Sequence, residues 1–442
     1  MRFKDIYPFL ARHHPVLAEE IFQAYINTMR WYYSNHFFRY RQALDKLKMH
    51  VVDKSDLLGT ESHGPRGQLG SHPLAVFIYL LLQGQVVPAS KMTAAPHEAL
   101  NIGRRLNLLT SLDHMAMTSH LIEADKSFQN LEVPFCNFSQ VLVDNASSEY
   151  SFLTDFFSPY PMHHLSRKFN EIFEPTFTLG KSFTKHLIET SVDAIGILLC
   201  VRVNQRLAFA LQRRKNPTVD GYINGTSMLL WPRFQVVMDM HSESIRRASS
   251  LLSGRAGVPA LSLPGSDGTG PSAAPHILTQ RFGQFAHSIL LLSSEAGDDE
   301  PVSSSLRRLR TDFDVFLSKL SNNIKDVRKR ERFKFNNYSL MLTIISVWFP
   351  VTLLILVPNP FVRSRARSFW LRDSRTPKED WLRSRKRFVH RLWGMFQIPE
   401  LIRIYSNSSV WREPLKALHS SWHSGLLRVI SLQQNLDKAP PY

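Results

Sequence analysis

The residues best suited to chemistry are two adjacent histidine pairs, His13-His14 and His163-His164, and one isolated acid, Asp193. Adjacent residues of a helix point to different faces, so neither pair closes on one metal ion as an i, i+4 pair does. Asp193 stands among apolar residues. Burial there would raise its pKa and make it a proton donor. At the start of a helix it would instead support the helix dipole, and that is the expected role. Glu19-Glu20 and Asp298-Asp299-Glu300 read as solvated carboxylates. No His-Glu-x-x-His, paired Cys-x-x-Cys, Gly-x-Ser-x-Gly or Gly-x-Gly-x-x-Gly motif occurs. The sequence therefore offers no catalytic, cofactor-binding or metal-binding residues, and the expectation is a protein that is not an enzyme and carries no cofactor.

The elements that would hold Asp193 centre on Ser191 to His241. Val192, Ala194, Ile195, Ile197 to Val201 and Val203 are apolar on nearly every face of a helix, the mark of a buried helix. Asp193 interrupts this run and Arg202 and Arg206 close it, leaving about half of what a bilayer span needs. Arg213, Arg214 and Lys215 suit a last turn, and Pro217 stops the helix. A second helix is expected after Asn224-Gly225-Thr226, kinked or restarted at Trp231-Pro232. The two would form an antiparallel hairpin around which the rest packs.

Before it, Pro15 opens a helix of about 35 residues with Leu17, Ile21, Tyr25, Met29, Tyr32, His36, Tyr40, Leu44 and Leu47 on its packing face. Helices of that length belong to rods and bundles. Asp53 to Pro73 is a Gly/Pro loop without a P-loop, and Ala75 to Val87 an apolar run too short to span. Short helices are expected near His97 to Thr110 and Asp113 to Phe128, and a long one from Pro134. Another covers Leu165 to Thr190, interrupted at Pro175. Residues 249–275 are rich in Gly, Pro, Ser and Ala and read as a disordered linker. Helices return at His276 to Ser293 and Leu306 to Phe333, with an acidic loop at 294–305. Strand signals are nearly absent.

Cys136 and Cys200, the only cysteines among 442 residues, lie in apolar runs and read as reduced core residues. Met1-Arg2-Phe3-Lys4 leads into Asp5 and Pro8, so no signal peptide is expected. The net charge of +17 is uneven: Val347 to Tyr442 carry 16 Lys/Arg against 6 Asp/Glu, which leaves the first 346 residues only mildly basic. No nucleic-acid partner is expected from so weak a field. The basic stretch Arg363 to Arg391 reads as solvated.

Six strings then stand in order: YPFLARHHPVLAEEIFQAYINTMRWYYSNHFFRY, DKSDLLG, LVDNASSEYSFLTDFF, FTKHLIETSVDAIGILLCVRVNQ, INGTSMLLWPRFQVVMDMHSES and PHILTQRFGQFAHSIL. Together they resemble the vacuolar protein sorting-associated protein 52 family, in its fungal branch, from about Arg2 to Ser346. The resemblance implies an all-α fold of elongated, stacked helical bundles of the helical-rod tethering-complex type. It implies a non-enzymatic subunit of a vesicle-tethering complex in retrograde transport from endosomes to the trans-Golgi network. Implied partners are sister subunits of the Golgi-associated retrograde protein complex, SNARE proteins and a Rab-type small GTPase, with the membrane surface reached indirectly. The implied location is the cytosolic face of the trans-Golgi network and endosomes. The family's amino-terminal coiled coil precedes the matching region. After Ser346 the family pattern gives way to a Trp-rich basic tail, which reads as translated intron or a shifted frame. A different reading makes that tail the device of a peripheral or tail-anchored membrane protein.

The expected organisation is a long amino-terminal helix over 1–52, a central helical bundle over 53–248 and the linker at 249–275. A carboxy-terminal bundle over 276–346 and the tail at 347–442, outside the fold, complete it.

Overall fold

Pro15 fixes the first turn of α2 (Pro15–Leu44), where its missing N–H costs nothing. The computed structural model describes residues 5–60, 98–110, 116–254, 274–293 and 301–347. Among these, eleven α-helices and one two-residue strand pair carry the fold, which is all-α. The Ala75–Val87 run, the acidic 294–300 segment, the 255–273 part of the expected linker and the 348–442 tail lie outside the described residues.

The described residues fall into two units, 5–60 with 102–244 and 98–101 with 245–347. In this division the amino-terminal helix falls in the first unit, and residues 53–248 fall in both.

In the first unit, α1 (Ile6–His13) folds onto α2. Tyr7 Oη donates to the Ala18 carbonyl at 2.9 Å, and its ring meets Phe157 edge-on at 4.7 Å. Short helices α3 (Asn107–Thr110) and α4 (Ser119–Ala124) precede α5 (Glu132–Phe156), α6 (Met162–Glu189), α7 (Ala194–Arg213) and α8 (Asp220–Gly254). A minimal parallel pairing joins β1 (Lys48–Met49) to β2 (Phe128–Gln129), with Lys48 opposite Phe128.

The most extensive packing is α2 against α6, not the expected hairpin. The two run in the same direction: Gln23 meets Glu171, Tyr33 stacks on Phe173 at 4.6 Å, and Arg41 lies over Phe183. Pro175 does not interrupt α6. It removes one backbone hydrogen bond, but Ile172, Phe173 and Thr176 around it are fully buried, and their packing holds the helix through it.

The core helix of the expected hairpin is present as α7 and continues past Arg202 and Arg206 to Arg213. Arg206 does not end the apolar stretch because its guanidinium donates to the Leu109 carbonyl at 2.8 Å. The reversal lies at 214–219, earlier than expected, and α8 runs unbroken through Asn224-Gly225-Thr226 and Pro232. Asn204 ties α7 to α8 by donating to the Ile223 carbonyl and the Ser227 hydroxyl, both at 2.9 Å. By length and composition α7 could cross a membrane, yet 72% of its apolar window is buried.

The end of α8 belongs to the second unit, so 249–254, expected as linker, is helical. The other helices there are α9 (Ile277–Ser293), α10 (Pro301–Asn322) and α11 (Val327–Val347). The helix expected over Leu306 to Phe333 is two helices, broken at 323–326. Asp326 caps the restart by accepting from Arg328 N. α9 packs chiefly on α11, so closely that a Cβ at Gly283 would stand 3.2 Å from Ile344 Cδ1. Asn337 of α11 caps α9 from outside: its Oδ1 accepts from His276 N at 2.8 Å and from Thr279 Oγ1 at 2.6 Å.

Candidate interaction surface and its supports

The functional surface has to be built from α2, because that helix carries two apolar stripes. The buried one is Ala18, Phe22, Ile26, Tyr33, Phe37, Tyr40 and Leu44. It is offset from the face expected from sequence: Leu17, Ile21, Tyr32 and His36 of that face are exposed. The second stripe is Leu17, Ile21, Ala24, Thr28, Trp31, Asn35 and Phe38, spaced by strictly alternating four- and three-residue steps. All but the half-buried Asn35 face solvent, with Trp31 66% and Phe38 49% exposed.

Alongside this stripe, α2 and α6 diverge into an open groove of about 710 Å³. Asn27, Trp31 and Phe38 line one wall, and Pro175, Thr178 and Ser182 the other. The side of α2 facing away from the groove is held by buried polar ties. Glu149 of α5 accepts from Tyr25 Oη at 2.6 Å and Tyr33 Oη at 2.9 Å. Burial pushes the Glu149 carboxyl above its ordinary pKa, and the two tyrosine hydrogen bonds oppose that rise only in part. Tyr40 Oη donates to the Met117 carbonyl at 2.8 Å. On the side that faces α6, the buried Lys168 ammonium reaches Gln23 Oε1 at 2.5 Å.

Asp193, expected to support the dipole at the start of its helix, is the helix cap and also one of three members of an ion cluster that the sequence did not reveal. Its Oδ1 accepts from Gly196 N at 2.9 Å, and its Oδ2 lies 2.5 Å from Arg105 Nη2. Arg105 also binds Glu132 with Nε and Nη2, at 2.7 and 2.8 Å. Burial alone would lower the Arg105 pKa, but the Asp193 and Glu132 carboxylates outweigh it and hold the guanidinium charged. Gly196 is required for this approach, since a Cβ there would stand 2.6 Å from both Arg105 Nη2 and Asp193 Oδ2. The one sequence signal for Arg105 is indirect: an acid at the head of a buried helix needs a cation partner.

The remaining candidates are structural. His13 ends α1 with its ring 4.4 Å from Phe9, and His14 occupies the junction to α2. His163 and His164 sit in the first turn of α6, with His164 stacked on Tyr160 at 5.0 Å. Glu19 accepts from Tyr160 Oη at 2.6 Å, and Glu20 is exposed. Asp298 to Glu300 lie outside the described residues. Burial raises the Cys136 thiol to about 12 and lifts Cys200 well above the ordinary thiol range, so both stay inert in the core. Among the described residues, no cluster of three or more His, Cys, Asp or Glu side chains is arranged to hold a metal ion.

A family model described as "Vps52, C-terminal" matches residues 88–348. The chain belongs to the Vps52 family. Vacuolar protein sorting-associated protein 52 of Saccharomyces cerevisiae is 32% identical over 354 residues, covering 76% of this chain and 54% of that protein. The Schizosaccharomyces pombe protein of the same name is 32% identical over 352 residues, covering 78% of this chain and 60% of its own. Protein 52 A of Arabidopsis thaliana is 27% identical over 345 residues, covering 78% of this chain and 43% of its own. The chain thus spans about half the length of the curated relatives it matches. Within the region matched by the family model lie Arg105, Glu132, Asp193 and the α6 wall of the groove.

Proposed function

We propose that this Vps52-family chain is a non-enzymatic subunit of a vesicle-tethering complex, acting in retrograde transport from endosomes to the trans-Golgi network. Its work is binding: helix faces and inter-helix grooves are offered to helices of other proteins. The partners in this reading are sister subunits of the Golgi-associated retrograde protein complex, SNARE proteins and a Rab-type small GTPase. The protein is peripheral, on the cytosolic face of the trans-Golgi network and endosomes. The observation that carries the reading is the exposed stripe of α2 beside its groove, in a chain of this family. Exposed aromatic residues along one helix are the usual anchors of a protein interface.

The test is a sorting assay in fungal cells lacking the protein. Receptors that cycle between endosomes and the trans-Golgi network should be mis-sorted, and the full-length protein should restore them. Restoration by a version whose 15–346 body is replaced with an unrelated helical rod would defeat the reading.

A further inference from the structure

The outer stripe of α2 repeats every 3.5 residues across Leu17, Ile21, Ala24, Thr28, Trp31, Asn35 and Phe38. That period is the narrow seam of a helix that meets another helix lengthwise. The buried stripe of the same helix already serves α5 and α6, while the outer one is left largely exposed among the described residues. The groove supplies the second wall that such a seam needs. Its lining also includes the polar residues Asn27, Ser34, Asn35, Thr178 and Ser182.

Charge settles the character of the ends. At the Arg30 end, Glu174 lies 3.5 Å from the guanidinium, and the two offset each other. At the Phe38 end, Arg39 on α2 and Lys185 on α6 are exposed, and neither forms a salt bridge among the described residues. Arg41 there is engaged by Asp45 at 3.4 Å, and Glu189 is one turn beyond Lys185. The balance of that end remains positive.

We propose that the α2–α6 groove docks an amphipathic helix of a partner protein. That helix carries large apolar residues at alternating three- and four-residue steps and carboxylates at the end beside Arg39 and Lys185. Its apolar side chains cover Trp31 and Phe38, and its carboxylates complement the cationic end and fix its direction along the groove. A lipid surface fits less well, because the strip is narrow, is interrupted by Thr28 and Asn35, and lies beside Asn27, Arg30 and Ser34 of the groove lining. This inference rests on the binding role proposed above and adds the place and the chemistry of the partner.

The experiment places a benzophenone amino acid at position 38 of the full-length protein in fungal cells, with position 148 as an exposed control. Cross-linked peptides are identified by mass spectrometry. The expected product is one predominant partner peptide with the 3–4 apolar repeat and carboxylates at one end. Its yield should fall at least about tenfold when Arg39→Glu and Lys185→Glu are combined. Cross-links to lipid, to a second copy or to peptides without the repeat would overturn the proposal. So would a yield no higher than at position 148, or one indifferent to the charge reversal. Receptor sorting scored in a strain lacking the protein separates the two levels. Normal sorting there defeats the binding role itself. Failed sorting without the expected cross-link defeats only the groove.

Discussion

The Asp193 carboxylate caps α7 through Gly196 N–H with one oxygen and meets the Arg105 guanidinium at 2.5 Å with the other. One side chain thereby starts the core helix of the first unit and pins it to the segment before α3. With Glu132 added, three charges are taken out of water together. Such clusters contribute little over an apolar replacement, but breaking one leaves unpaired buried charge.

Arg105→Leu should therefore destabilise the protein by about 3–5 kcal/mol. Adding Glu132→Leu and Asp193→Asn to the same chain should recover most of that loss. Urea unfolding of the three forms reads both effects. A loss below about 1 kcal/mol for the single variant would mean that water reaches the cluster and the burial argument is wrong.

Glu149 predicts a pH effect of a definite sign. Its folded pKa is raised, chiefly by burial, so the folded state holds the proton more tightly than the unfolded chain. Stability contributed by this group is present in acid and declines as pH rises above about 4.5 through the folded value. Glu149→Gln should remove that component, flattening the urea midpoint over this range relative to the parent. An unchanged slope would contradict the assignment.

His287, fully enclosed in the second unit, works in the opposite sense. Burial lowers its pKa from 6.5 to about 4, against a smaller upward pull from the backbone of Ile345. The unfolded chain then binds a proton that the folded one refuses. Stability should fall as pH drops from about 6.5 toward 4, by a few kcal/mol at most. In His287→Gln this acid sensitivity should be absent. Monitoring the thermal midpoint from pH 7 to pH 4 tests it, and equal acid sensitivity in both forms would refute it.

Lys215 is the described non-glycine residue with positive φ, 54°, in the turn after α7. Asn216 N closes that turn on the Leu211 carbonyl at 3.1 Å. A side chain in the left-handed region is strained, so Lys215→Gly should gain about 1 kcal/mol in urea unfolding. A loss of stability would show that the lysine side chain contributes something that the backbone geometry does not reveal.

Long periodic segments were legible in the sequence, and so was the family. The apolar run after Asp193 is too dense to be anything but core, and α2, α5 and α6 follow from their spacing. The breaks were less legible. Asn224-Gly225 looks like a turn, yet Tyr222, Ile223 and Thr226 are buried and keep α8 continuous. Pro175 looks like a stop, yet buried neighbours carry the helix past it. On α2, Leu17 and Phe22 are equally plausible core residues by type, and only the position of α5 and α6 decides which stripe is covered. Arg105 was invisible because it comes from a short 3-10 turn distant in sequence from Asp193, and ion pairing leaves no local period.

Binding through the exposed stripe of α2, the role proposed for this protein, is put to the test by a triple substitution. Ile21, Trp31 and Phe38 are exposed by 43%, 66% and 49%, so replacing all three with serine should leave the thermal midpoint within about 2–4 °C of the parent. Receptor sorting by the full-length variant should nevertheless fail. A variant that melts like the parent and sorts receptors like the parent would contradict the account.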